Sequence, residues 1–353
     1  MKFEPDFNNL RKAVLRDGKL ERIPCWELFT DLEIMQNVLG EKMGYPFDKD
    51  SMDDYLDKLL RFQLMMGYDY LPIHIQPPLP KTNILQGDDT AELAKEKRNW
   101  VDEHHGMVTN WEEFEKYPWP DPETIDFTIL EKATKIIPDG MKIMLWSSGI
   151  LENVQWLMGY EPMSYASFEE PELIAALFEK IDKLMMKIYG VSSQVPEVGM
   201  LAMGDDMGFK TGTLFSPDFL KKYVFPLQKK CVDAAHKYNN PFVLHSCGKL
   251  ESIMDDLIDY VGIDAKQSFE DVILPVEEAK RLYGNRIAII GGIDMDFICR
   301  NTEEVVRQKV RKTLEICAPG GGYAMGTGNS VANYIPVKNY IAMMDETRKF
   351  RCC

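Results

Sequence analysis

From residue 141 onward, short apolar runs alternate with longer amphipathic stretches, and each apolar run stops at a small group of polar side chains. The runs are 141–146, 199–204, 241–244, 262–266, 286–290 and 322–325. They have the length of buried strands. The stretches between them carry helix signals. The segment from Ser216 opens with an N-cap serine and Pro217 at the first helical position, and further helices are expected over 250–260, 275–283 and 302–315. Two earlier runs, 23–29 and 68–75, bring the strand candidates to eight. Strands and helices alternating at this spacing predict parallel βαβ units. Eight of them favour a closed (β/α)8 TIM barrel over an open doubly wound sheet. No G-x-G-x-x-G turn follows the first strand, which counts against a dinucleotide fold.

The regions before residue 141 read differently. Residues 1–62 are polar and helical, apart from the strand candidate at 23–29, and form an N-terminal extension. Residues 76–125 hold Pro77, Pro78, Pro80, Pro118, Pro120 and Pro122 with a charged stretch over 92–98. They read as an irregular insertion or cap, with a hairpin around 101–109. The expected organisation is one barrel domain over 1–353.

Composition narrows the function. The 353 residues are 45% apolar and 27% charged, as in an ordinary globular chain. With 41 basic against 56 acidic side chains the formal charge is −15, and no segment supplies the basic footprint that nucleic-acid binding needs. No apolar run approaches the ~20 residues of a membrane span. Seven cysteines, odd in number and scattered, together with an N-terminus lacking a secretory layout, predict reduced thiols and a cytoplasmic protein.

In a (β/α)8 barrel the chemistry sits at the C-terminal ends of the strands. Candidates there are Glu27, Asp69, His74, Trp146, Ser147, Glu152, Asp205, Asp206, His245, Cys247, Lys266, Gln267, Asp294, Thr327 and Asn329. His245 and Cys247 form the sharpest pair: residues i and i+2 on a strand face the same side. Imidazole nitrogen and thiolate sulfur are ligands that zinc prefers, and a catalytic zinc takes three protein ligands. For the third, Cys317, Glu152 and Asp205 all remain open. Of the adjacent Asp205 and Asp206 only one can face the site. Asp205, Asp206, Glu152 and His74 are the expected catalytic groups; Glu27, Asp69, Trp146, Gln267 and Asn329 are the expected substrate contacts. Glycines over 320–328 allow a close backbone approach to a ligand.

These motifs together resemble the uroporphyrinogen decarboxylase superfamily. The resemblance rests on Gly204-Asp205-Asp206-Met207-Gly208 followed by Ser216-Pro217, on Leu244-His245-Ser246-Cys247-Gly248, on Gly291-Gly292-Ile293-Asp294, and on Ala318 to Tyr323 with Gly326-Thr327-Gly328-Asn329. It implies a (β/α)8 barrel that is either a decarboxylase or a methyltransferase exchanging methyl groups with a corrinoid protein or coenzyme M. Decarboxylases of the family carry an Arg-Gln-Ala-Gly-Arg segment after the first strand. Here Cys25 to Glu33 is acidic and has no arginine, so a substrate with many carboxylates would meet like charge. Asp69 aligns with the aspartate that serves proton transfer in the decarboxylases. Coenzyme M methyltransferases of the family bind zinc through a His-x-Cys pair, matched by His245 and Cys247, and a later cysteine, where this chain has Gly320 and Gly321. The resemblance therefore implies a relative that takes a methyl group from a small methoxylated or methylated compound and hands it to cob(I)alamin on a partner protein. Zinc or a mouth carboxylic acid would activate the leaving heteroatom. The expected partners are a small-molecule methyl donor, a corrinoid protein and a second copy of the chain, with uroporphyrinogen decarboxylation as the alternative.

Overall fold

The computed structural model describes residues 3–80, 84–89, 91, 93, 97–102 and 104–351. In chain order its strands are β1 (Tyr70–His74), β2 (Ile84–Asp88), β3 (Lys97–Val101), β4 (Lys142–Ser148), β5 (Val198–Gly204), β6 (Phe242–His245), β7 (Ala265–Gln267), β8 (Ala288–Ile290) and β9 (Tyr323–Ala324). Seven of them form one parallel sheet in the order β1-β4-β5-β6-β7-β8-β9, while β2 and β3 pair separately as an antiparallel hairpin. β5, β6, β7 and β8 are almost wholly buried, which is why they read as apolar runs without alternation. The sheet is curled: the helix Phe7–Leu15 touches β5, β8 and β9 together.

The segment at 23–30 occupies the place beside β9 without becoming a full strand. It pairs through isolated bridges, Cys25 with Met325 and Thr30 with Val331, supported by Trp26 N–H to Met325 O at 2.8 Å and Met325 N–H to Pro24 O at 2.9 Å. On its other side it meets β1 through a side chain. The Tyr70 hydroxyl accepts from Glu27 N–H at 2.7 Å and donates to Glu27 O at 2.6 Å. Pro24 and Pro72 have no N–H to donate to a ladder. Seven hydrogen-bonded strands, rather than eight, are the result among the described residues.

Strand positions from 141 onward match the expected ones to within a few residues. Three local expectations are corrected. The expected hairpin around 101–109 lies earlier, at β2–β3, and ends at Val101. Residues 106–108 instead dock on the helix Ile150–Met158: Met107 and Val108 N–H both donate to Leu157 O, at 2.6 and 2.9 Å, and a Cβ on Gly106 would lie 1.9 Å from Met158 O. The helix from Ser216 is interrupted by a π-helical stretch, Leu220–Val224, before resuming over Phe225–His236. Pro226 has no N–H for the regular ladder, so the register widens there. The helix expected over 250–260 appears as a π-helical segment, Asp256–Val261. Of the charged stretch 92–98, residues 92 and 94–96 lie outside the described residues.

Candidate active site

β5 and β6 run in register with Gly204 opposite His245. Two residues further, Asp206 and Cys247 are therefore level at the C-terminal end of the sheet. The ligand atoms of Asp206, His245 and Cys247 all lie within 4.8 Å of one another. Cys247 Sγ is 3.5 Å from His245 Nε2, and Asp206 Oδ1 is 3.6 Å from the same nitrogen. Asp206 Oδ1 also accepts from Cys247 N–H at 2.7 Å. A close approach of two glycines holds the two loops together: Gly248 has φ +89°, and a Cβ there would meet Gly208 backbone at 2.2 Å.

The remaining polar atoms of the cluster are oriented by neighbours. His245 Nδ1 is hydrogen-bonded to Gln267 Oε1, which fixes the ring and leaves Nε2 facing the cluster. Gln267 Nε2 in turn donates to Thr327 O at 3.3 Å and to Asn329 O. The Cys247 sulfur receives the Ser268 hydroxyl at 3.3 Å and the Asn329 amide at 3.2 Å. Burial and the nearby Asp206 charge raise the Cys247 thiol; a cation among the three donors would act in the opposite direction. The donor set, one nitrogen, one sulfur and one carboxylate oxygen, fits a zinc-type site. Lys266 Nζ donates to Ser246 O at 3.0 Å and Ser268 O at 2.6 Å, tying the Cys247 and Ser268 turns together. Burial pulls its ammonium down to about 8.

Asp205 and Asp206 point in opposite directions. The fully buried Asp205 carboxylate accepts from Ile150, Leu151 and Glu152 N–H at 3.1, 3.3 and 3.1 Å and from Gln228 Nε2 at 2.7 Å. It anchors the N-terminus of the helix Ile150–Met158. Burial pushes its carboxyl up to about 6 against these donors. Gly149 makes this contact possible, since a Cβ there would fall 2.1 Å from Asp205 Cγ. Glu152, whose N–H Asp205 holds, is raised well above the usual carboxyl range by burial and then by the charges of Asp206 and Asp205.

A second part of the mouth lies at β1 and β4. His74 pairs in register with Trp146, and their rings stack at 3.6 Å with a 5° interplanar angle. Phe29 stacks on Trp146 at 5.6 Å. These residues border a cavity of about 230 Å³ lined also by Glu27, Phe47, Tyr55, Tyr68 and Tyr70. Glu27 is 3% exposed; its carboxylate accepts from Thr327 N–H at 2.7 Å and Thr327 Oγ1 at 2.6 Å. Burial pushes it up to about 8, with Thr327 and His245 pulling the other way. Thr327 thus links the cavity, through Gln267, to the His245–Cys247 cluster.

Two sequence expectations fall away from this mouth. Asp69 immediately precedes β1 rather than ending it, about 16 Å of strand from His74. It pairs with Arg22 and accepts from Asp6 N–H at 2.7 Å, a buried tie at the opposite end of the sheet and not a substrate contact. Cys317 ends the helix Glu303–Cys317 ahead of β9 and is buried there, so it is not the third donor; nor is Asp205, which is engaged on the helix. Asp206 is the carboxylate whose oxygen lies beside the His245 and Cys247 ligand atoms. Asp294 caps the helix Met295–Arg300 through Phe297 N–H at 3.1 Å. The sequence singled out Asp206 and Gln267 but for other duties, and missed Ser268, Tyr55 and Tyr70. The strand register, had it been known, would have placed Asp206 beside Cys247.

The fold superposes on a methyltransferase from Methanosarcina mazei with a TM-score of 0.71 at 15% identity, over 98% of both chains. A methylcobamide:CoM methyltransferase of Methanosarcina barkeri is 25% identical over 133 residues, 37% of this chain and 36% of the relative. A uroporphyrinogen decarboxylase of Geotalea uraniireducens is 26% identical over 187 residues, 52% and 50% of the two chains. The chain spans between about a third and a half of the length of these curated relatives. The sequence profile of the uroporphyrinogen decarboxylase (URO-D) family matches residues 103–350, and the chain belongs to that family.

Proposed function

We propose that this chain is a methyltransferase that moves a methyl group from a small methylated or methoxylated compound to a corrinoid carried by a partner protein. The observation that carries the reading is the convergence of Asp206, His245 and Cys247 within 4.8 Å at the sheet's C-terminal end. Similarity to methylcobamide:CoM methyltransferases supports corrinoid-linked methyl transfer in general. In this reading the segment 23–30 completes the curled sheet as the eighth member of a (β/α)8 barrel, and residues 1–353 act as one unit.

An ether or amine is a poor leaving group until its heteroatom is protonated or bound to a Lewis acid. Asp206, His245 and Cys247 would hold a zinc ion, which supplies Lewis acidity towards that heteroatom when bound. Glu152, whose carboxyl burial raises well above the usual range, is the proton donor to the departing heteroatom. Gln267 orients His245, and His74, Trp146 and Glu27 line the cavity that takes the organic part of the donor. Porphyrinogen decarboxylation is the weaker reading: among the described residues no arginine or lysine lines that cavity to receive carboxylates, and its volume is below that of pockets for drug-sized ligands, roughly 300–1,000 Å³.

The test is incubation of the purified protein with cob(I)alamin and a panel of methoxyarenes and methylated amines, reading methylcobalamin by absorbance. Wild type is expected to form it, and His245→Ala and Cys247→Ala to lose the activity. Turnover of uroporphyrinogen without methyl transfer overturns the reading.

A further inference from the structure

The cavity beside Glu27 has an unusual wall for a protein of this composition. Phe29, Phe47, Tyr55, Tyr68, Tyr70 and Trp146 line it, and Tyr68 meets Tyr70 edge to face at 5.6 Å and 68°. Among the described residues its one carboxylate is Glu27, no lysine or arginine lines it, and His74 is the one side chain able to carry positive charge. Thr327 uses one acceptor position on each Glu27 oxygen; a carboxylate offers about two per oxygen, so each keeps one for a ligand.

Aromatic faces carry negative quadrupoles that attract a desolvated cation. A buried carboxylate among them adds an opposite charge once it is ionised, above about pH 8. A volume of about 230 Å³ holds a compact group, not an extended chain. An anionic ligand would meet Glu27 with His74 as the one facing group able to offset its charge, and a neutral one could offer the carboxylate a hydrogen bond but no opposite charge.

We propose that this cavity binds a methylated ammonium group, making a quaternary amine the methyl donor class of the enzyme. The inference deepens the methyl-transfer reading and rests on it for its reaction. In that reaction the C–N bond breaks with its electron pair staying on nitrogen, which leaves as a neutral tertiary amine. The methyl carbon bonds to the cobalt of the partner's cob(I)alamin, which supplies the new pair. A quaternary nitrogen has no lone pair to take a proton or bind a Lewis acid and leaves as a neutral amine unaided, so for this donor class activation by Glu152 or by a metal at the heteroatom is not needed.

Binding is measured apart from turnover, so the two ideas fail separately. The full chain is titrated calorimetrically at about pH 9, where Glu27 is ionised, with choline and with its neutral isostere 3,3-dimethylbutan-1-ol. The expected result is choline binding at least about tenfold tighter than the alcohol, the size of a desolvated cation–aromatic preference. Glu27→Gln should abolish that preference and leave the alcohol's affinity unchanged. Equal affinity for the two in wild type, no choline binding at millimolar concentration, or tighter binding of 2-methoxyphenol than of choline each overturns the proposal. If Glu27→Gln does not fold, the wild-type comparison alone decides. Methylation of cob(I)alamin from a methoxyarene without choline binding would sink this inference and leave the methyl-transfer reading standing. Choline binding without any methyl transfer would leave the cation site standing and overturn the donor role together with the methyl-transfer reading.

Discussion

Replacing Glu27 by Gln isolates what it costs to bury a carboxyl group at this mouth. In the folded protein burial holds Glu27 at about 8, against an ordinary value of 4.5. Between those values the folded chain keeps a proton that the unfolded chain has released. Folding stability therefore falls as pH rises through this window, by about 1.4 kcal/mol per pH unit. The loss amounts to about 5 kcal/mol by pH 8 and is constant above it. Below pH 4.5 both states are protonated and Glu27 contributes no pH dependence. Glutamine keeps the shape, its carbonyl accepts the Thr327 N–H, and the Thr327 hydroxyl can turn to accept from the new amide. The variant has nothing to ionise, so its stability relative to wild type should grow by about 4 kcal/mol between pH 5 and pH 8. Urea unfolding midpoints of both proteins, taken at intervals over that range and followed by circular dichroism, measure it. Two parallel stability curves, differing by a constant within about 1 kcal/mol, would falsify the reasoning. They would mean that the two Thr327 hydrogen bonds outweigh burial and keep Glu27 ionised at neutral pH.

Other substitutions probe separate parts of the site. Gly149→Ala puts a methyl carbon 2.1 Å from Asp205 Cγ and should lower stability by about 1–3 kcal/mol in thermal unfolding; an unaffected protein would show that Asp205 does not seat on the helix end. Gln267→Ala removes the partner of His245 Nδ1 and is expected to weaken zinc binding about 10–100-fold in competition with a chromogenic chelator. Asp206→Asn should lower zinc stoichiometry in elemental analysis while Cys317→Ser leaves it intact; the opposite pattern would restore the buried cysteine as the third donor. Asp69→Asn breaks the tie to Arg22 at the far end of the sheet and should cost about 1–3 kcal/mol without changing choline affinity.

The parts of the fold that the sequence made legible are those governed by local periodicity. β5, β6 and β8 are buried runs bounded by polar residues, and the helices Val276–Tyr283 and Glu303–Cys317 carry a regular amphipathic spacing. Departures occur where a tertiary contact or one missing N–H decides. Pro226 converts a continuous helical pattern into a π-helical interruption. The docking of residues 106–108 on Leu157 O takes from them the hydrogen bonds of a hairpin. Tyr70 replaces a backbone ladder at the seam beside Glu27, and no apolar pattern encodes a phenol doing that. Asp69 was misplaced for a simpler reason: it stands at the N-terminal end of the run 68–75, just ahead of β1, while the strand-end rule for the mouth selects only the far end of that run.

The Asp205-Asp206 pair shows how one strand end serves structure and chemistry together. Alternation sends the two carboxylates to opposite sides, so the same backbone that delivers Asp206 to His245 and Cys247 sends Asp205 outward to the first turn of the neighbouring helix. The orphan N–H groups of that turn need an acceptor, and Gly149 leaves room for one. One of the N–H groups so held belongs to Glu152, whose carboxyl is raised by the charges of both aspartates. Asp205 therefore acts on the site at second hand: it holds the backbone of Glu152, the acid in the proposed mechanism, and its charge adds to the burial that raises the Glu152 carboxyl. A substitution at Asp205 should disturb Glu152 while leaving the three metal-type donors in place, whereas one at Asp206 removes a donor and relaxes Glu152 towards an ordinary carboxyl. The two neighbours differ by a single step along the chain, and their consequences are separable because a strand turns each side chain away from the last.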